Sequence, residues 1–247
     1  MLRSITPIIV AGFLVSLTMG AKSEAENLSS ASPPASEDQD PFEGVNRVSF
    51  DVSMFLDRNA LRPVAKAYTD VIPQPLRNGA RNVLDNLNSP VILVNNLLQG
   101  DGDAAGNTTT RFLVNSTIGV AGLMDPAADW GFVRDNEDFG TTLGRWGADP
   151  GAYVFIPLLG PSSLRDAVGR ITDLAFDPLT YWKGSFWLPV GVAALDTVDS
   201  RARNLDNIDA IERTSIDTYA AVRSAYRQSR AAKINNGTSE VPDLSGN

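Results

Sequence analysis

The stretch DPFEGVNRVSFDVSMFL, residues 40–56, decides how the chain is to be read. Asp40 suits a helix N-cap, Pro41 sits where a missing N–H costs nothing, and Glu43 completes a capping-box-like pattern. Phe42, Val45, Ser49, Val52 and Leu56 then follow at spacings of three and four, the signature of one helical face. The same punctuation recurs downstream. Pro75 opens a segment with Leu76, Ala80, Val83, Leu84 and Leu87 in helical register. Ser89-Pro90 reads as the cap of a separate helix, VILVNNLLQ, that stops at Gly100. Asp125-Pro126 and Ser162/Ser163 read as further N-caps. Tyr153-Val154-Phe155-Ile156 is the best strand candidate, and it is short. Ile208 and Ile211, then Tyr219, Val222 and Tyr226, give two closing helices with a break at Thr214-Ser215. The expectation is an all-α fold of many short helices broken by Pro and Gly, with at most one short hairpin.

Either side of this region the composition changes. Met1-Leu2-Arg3 is followed by a mostly apolar run from Ile5 to Leu17, and Ser23-Glu24-Ala25 offers small residues for a cleavage site. The run falls short of the roughly 18 to 20 apolar residues a spanning helix needs, so residues 1–25 are expected to be a signal peptide. Residues 26–39 are rich in Ser, Pro and acids and read as a flexible linker. A single domain is expected over residues 40–234, with a tail at 235–247 (NNGTSEVPDLSGN).

Composition excludes more than it assigns. The 247 residues are 43% apolar, enough for a core, and carry a net charge of −8, which argues against a nucleic-acid partner. There is no histidine and no cysteine. That removes His-based catalytic triads, His- or Cys-ligated zinc, disulfides and acylation of a cysteine thiol. The acids Asp135, Glu137 and Asp138, and Asp101 with Asp103, could serve a carboxylate-based hydrolase or a calcium loop. Acids before an apolar helix more often serve its N-terminus. No catalytic, metal or cofactor residue is assigned. Arg223, Arg227 and Arg230, with Lys233, form a stripe on the final helix; a solvated face is preferred over contact with anionic headgroups. Residues 139–161, FGTTLGRWGADPGAYVFIPLLGP, hold Gly140, Gly144, Gly147, Gly151 and Gly160 among large apolar side chains. Glycine there implies positive φ, close approach or hinging.

Asp40 to Arg47; Arg62-Pro63-Val64-Ala65; Ile72 to Pro75 with Arg77-Asn78-Gly79; Leu98 to Asp101; Thr110-Arg111-Phe112 with Asn115; Phe139-Gly140 with Thr142-Leu143-Gly144; and Pro157 to Asp166 follow one another along the chain. Taken together and in this order, they resemble the VacJ/MlaA family of phospholipid-transport proteins. The resemblance implies a helical ring around an amphipathic channel, lying in the outer membrane on its periplasmic side. It implies removal of phospholipid from the outer leaflet and transfer to a soluble periplasmic carrier, with a trimeric porin as a further partner. It also implies that residues 139–151 are a channel-side loop hinged at Gly140, Gly144, Gly147 and Gly151. Members are typically anchored through a cysteine, which this chain lacks. A porin-binding scaffold that moves no lipid, and a carboxylate-based periplasmic hydrolase, remain as alternatives.

Overall fold

A computed structural model of the chain describes residues 40–236, so the expected signal peptide, linker and most of the tail lie outside the described residues. Helix α1 (Glu43–Leu56) runs through a π turn (Asp57–Leu61) directly into α2 (Arg62–Val71). Pro63 has no N–H to offer the preceding turn, and the chain widens just upstream of it, with Arg62 N–H reaching back to Asp57 C=O. Arg201 holds that bulge through a paired contact to Asp57 at 2.7 and 2.9 Å.

Next come α3 (Gln74–Leu98), α4 (Gly102–Thr117) and the short α5 (Pro126–Asp129). The expected break at Ser89-Pro90 does not occur: Pro90 lies inside a continuous 25-residue α3. Pro90 leaves Asn86 C=O without its ladder donor, and one residue earlier Ser89 Oγ donates to Asp85 C=O at 3.1 Å. One expected break is therefore absent, and α3 is longer than the punctuation suggests. Gly100, at φ 74°, and the Asp101 cap, which accepts from Ala104 N–H at 2.9 Å, turn the chain into α4.

The chain continues through α6 (Phe139–Arg145), β1 (Tyr153–Ile156), β2 (Gly160–Ser163) and α7 (Leu164–Asp173). After a 3₁₀ turn (Pro178–Tyr181) come α8 (Trp187–Arg203), α9 (Leu205–Thr214) and α10 (Thr218–Asn236). The strands pair antiparallel, with Tyr153 opposite Ser163 and Ile156 opposite Gly160. The strand at 153–156, the caps at Asp125 and Ser163, and the break after Thr214 all stand where the sequence places them.

The hairpin packs between α1 and α10. Phe50, Tyr153, Phe155 and Tyr219 form an aromatic cluster with edge-on contacts at ring separations of 5.3 to 6.0 Å. Asn46 supplies what a third strand would. Its Nδ2 donates to Tyr153 C=O at 3.0 Å, and its Oδ1 accepts from Phe155 N–H at 2.8 Å. Asp40 is not the N-cap of α1, whose first residue is Glu43. It accepts from Phe42 N–H and Asn46 Nδ2, and from the Tyr219 hydroxyl, tying the start of the fold to α10. Glu43 pairs with Arg47 at 2.8 Å rather than reaching back to complete a capping box.

The apolar face of α1 points outward. Val45 is 68% exposed, Phe42 and Val52 are exposed too, and the buried residues are Asn46 and Phe50. This inversion is general. Among the described residues nine apolar side chains are buried against seventeen polar or charged ones, while Phe55, Trp182, Phe186, Trp187 and Leu158 stand exposed. No described helix is long and apolar enough to cross a membrane.

Candidate functional site

The glycine-bearing segment 139–151, expected as a loop, begins as helix α6. Asp138 caps it, accepting from Thr141 N–H at 2.8 Å, and Asp173 takes Phe139 N–H at 3.1 Å. The four glycines then divide by physical role. A Cβ on Gly140 would lie 2.7 Å from Arg230 Nη2 and Asp166 Oδ1, and 3.0 Å from the Asp166 Cα. A Cβ on Gly144 would lie 2.5 Å from Ile234 Cδ1. These two let α7 and α10 approach the helix. Gly147, at φ 89°, closes α6 with Gly147 N–H to Gly144 C=O and Ala148 N–H to Leu143 C=O, a Schellman pair. Gly151, at φ 66°, turns the chain toward β1.

Beneath α6 lies a buried charge cluster. Arg230 of α10 spans Asp138, at 2.6 and 2.8 Å, and Asp166, at 2.8 Å. Arg165 reaches Asp166 at 2.9 Å, the Tyr226 hydroxyl donates to it, and Lys233 stands 3.4 Å from Asp138. Burial alone would raise both carboxyls, but the hydrogen bonds and charge of Arg230, with the Lys233 charge on Asp138, outweigh it and hold them below the usual range. Burial and the Asp166 contact push the Tyr226 hydroxyl up to about 12.

The basic stripe is thus not a solvated face, nor is it turned to headgroups. Arg223 lies beside Asp40, Arg227 over the Tyr153 ring at 5.9 Å, and Arg230 and Lys233 point into the cluster. The other acids are also engaged. Glu137, 3% exposed and pushed up by burial, accepts from Gln99 at 3.1 Å and Arg145 at 3.2 Å. Asp135 accepts from Asn136 N–H, and Asp101 caps α4 with Asp103 in its first turn. No group of acids among the described residues could hold a metal ion.

A second polar region went unread in the sequence. Between α3, α4, α8 and residues 134–136 lies a cavity of about 260 Å³, with Arg81, Asn86, Ser89, Arg111, Arg134 and Arg203 in its wall. Arg111 pairs with Asp125 at 2.7 Å while Asn115 donates to the same carboxylate at 2.8 Å, which explains the Arg111 and Asn115 spacing. The available signal was a polar stripe on α3: Asn82, Asn86 and Ser89 recur at helical spacing, with Arg81, Asp85 and Asn88 beside them. Buried polar side chains and exposed apolar ones together invert the usual order of a soluble monomer.

Comparison with known proteins agrees. A family profile described as MlaA lipoprotein matches residues 38–233. The intermembrane phospholipid transport system lipoprotein MlaA of Escherichia coli K12 is 39% identical over 202 residues, covering 80% of this chain and 79% of that protein. Its namesake in Haemophilus influenzae is 35% identical, covering 82% of each. A chain solved in work on the structural basis for maintenance of bacterial outer membrane lipid asymmetry is 37% identical. It superposes with a TM-score of 0.72, covering 80% of this chain and all of that one. The chain belongs to the MlaA lipoprotein family.

Proposed function

We infer that this protein works in intermembrane phospholipid transport and so maintains the lipid asymmetry of a bacterial outer membrane. The observation that carries this is the inversion of polarity: apolar side chains such as Val45, Phe55 and Trp187 face out, while Asn95, Asn96, Thr142 and Arg111 are buried. Such a surface suits a leaflet, and such an interior suits a headgroup.

The finer reading is that helices ring an amphipathic channel on the periplasmic side of the outer membrane. Phospholipid leaves the outer leaflet through it and passes to a soluble periplasmic carrier, with a trimeric porin as docking partner. Residues 1–25 are a signal, 26–39 a linker, 40–234 the transporting domain and 235–247 a tail. Gly140, Gly144, Gly147 and Gly151 are the candidate hinge of the 139–151 segment. With no cysteine in the chain, attachment rests on the apolar surface. No observation favours catalysis, since Asp138 is committed to Arg230 and a helix cap.

The test is mass spectrometry of lipid co-purifying with the detergent-extracted protein, beside surface-exposed phospholipid in cells with and without it. Bound phospholipid and its surface accumulation on deletion are expected. A porin-binding protein that never carries lipid would overturn transport in favour of a scaffold.

A further inference from the structure

We propose that the cavity between α3, α4 and α8 is a binding site for a phosphate ester, the headgroup of a phospholipid, with Arg81, Arg134 and Arg203 as its anion ligands. The proposal rests on the transport reading and gives it a place in the chain.

Four guanidinium groups converge on about 260 Å³ in a protein whose net charge is −8. Their protein partners leave much of that donor capacity unused. Arg203 gives Nε to Asp199 at 2.9 Å, and among the described residues neither of its Nη groups makes a hydrogen bond. Arg134 contacts Asp85 and reaches Asn82 Oδ1 only at 3.5 Å. Arg81 stands 3.8 Å from Asp85, and its buried Nε has no hydrogen-bond partner among the described residues. The Arg203 side chain is 39% exposed and its Nη groups stand open to water. The buried Arg81 Nε left unpaired is costly, and a phosphate oxygen is the partner whose shape a guanidinium fork matches. Arg111, held by Phe132 C=O and Asp125, is positioned behind them. Burial lowers the Arg134 pKa; the Asp85 and Asp125 carboxylates beside it act against the shift, and the neighbouring Arg81 and Arg111 charges add to it.

The acceptor side fits the rest of a headgroup. Asn86 Oδ1 and Asp135 Oδ2 are buried without hydrogen-bond partners among the described residues, and either would take an N–H or O–H donor. The volume holds a headgroup but no tails, because whole-ligand pockets run about 300–1,000 Å³. An apolar lip is at hand: residues 118–124 lie against Asn82 and Asn86, with Ile118, Val120, Leu123 and Met124 exposed. Val120 and Ala121 in that lip hold φ of 55° and 57°, a conformation a β-branched residue rarely adopts.

The test uses the full chain in a phosphate-free detergent, titrated calorimetrically with dihexanoylphosphatidylethanolamine, dihexanoylphosphatidylglycerol, dihexanoylglycerol and glycerol 3-phosphate. Both phospholipids are expected to bind at least tenfold tighter than dihexanoylglycerol. The double variant R81Q/R203Q should lose about tenfold for the phospholipids and nothing for dihexanoylglycerol. If the double variant does not fold, R81Q alone carries the test, because among the described residues the only ion pair it removes is the 3.8 Å contact with Asp85. Wild-type affinity in these variants overturns the site while leaving transport standing, whereas a wild-type chain that binds no phospholipid overturns both. Glycerol 3-phosphate binding as tightly as the phospholipids would reassign the cavity to soluble phosphate esters.

Discussion

Asn46 and Asp138 show how far a single polar side chain governs this fold. Asn46 meets both hydrogen-bonding groups on the open edge of β1, and neither can reach water. Asn46→Leu strands them, and with unsatisfied buried groups costing about 1–3 kcal/mol each, a loss of about 3 kcal/mol is expected in denaturant titration. Asp138→Asn keeps the helix cap but removes the charge facing Arg230 and Lys233, for a loss of about 2 kcal/mol near neutral pH. The folded Asp138 carboxyl titrates below its ordinary value of 3.8. Its contribution is therefore complete above that value and fades as pH falls through the folded one. The stability gap between wild type and D138N should be constant above pH 3.8 and shrink below it; a gap that widens in acid would contradict the pairing. Little of this was legible in the sequence. Acids at 135–138 and a basic stripe at 223–233 were visible, but their pairing joins residues 92 apart and follows only from the packing of α10 on α6.

At the scale of elements, sequence reading succeeded where the signal was local. The 153–156 strand, the Asp125 and Ser163 caps and the break after Thr214 each depend on a few adjacent residues. It failed at Ser89-Pro90, where α3 runs on because its neighbours α4, α6 and α8 hold it. The glycines of 139–151 were visible as unusual, but not which role each has. Spacing cannot distinguish a glycine that admits a neighbouring helix from one that turns the chain. Their separation predicts separable effects. Gly140→Ala drives a methyl against the Asp166 backbone and should destabilise by about 2–3 kcal/mol, as overpacking does. Gly144→Ala meets only side-chain ends and should cost less. Gly147→Ala has open space but keeps a left-handed φ, so about 1 kcal/mol is expected. If the segment gates lipid, Gly147→Ala should alter surface phospholipid in cells while its thermal midpoint falls only slightly. Normal surface phospholipid from folded, abundant Gly147→Ala protein would remove Gly147 from the hinge.

Over the described residues the controlling fact is that the apolar face of a helix cannot be assigned to a core from periodicity alone. The register of α1 reads correctly as helix but does not say which way its stripe faces, because the same 3.6-residue stripe suits either a protein interior or lipid, and here it is exposed. Val45, Val48, Val52 and Phe55 leave an outward apolar surface on one helix, and Trp182, Phe186 and Trp187 add aromatic surface of the kind enriched at membrane interfaces. Soluble monomers seldom tolerate contiguous patches of more than a few hundred Å², so the protein should need detergent or lipid to stay monodisperse. Replacing Val45 and Val48 by Lys separates this from a stability effect. Both side chains are more than 60% exposed, so in detergent the double variant should unfold within about 0.5 kcal/mol of wild type for each substitution. In cell fractionation it should shift from the membrane toward the soluble pool, since each site exchanges an apolar contact for a charge that lipid disfavours. Wild-type protein that sediments as a compact monomer without detergent, or a V45K/V48K protein that stays fully membrane-bound, would show that this face does not meet lipid.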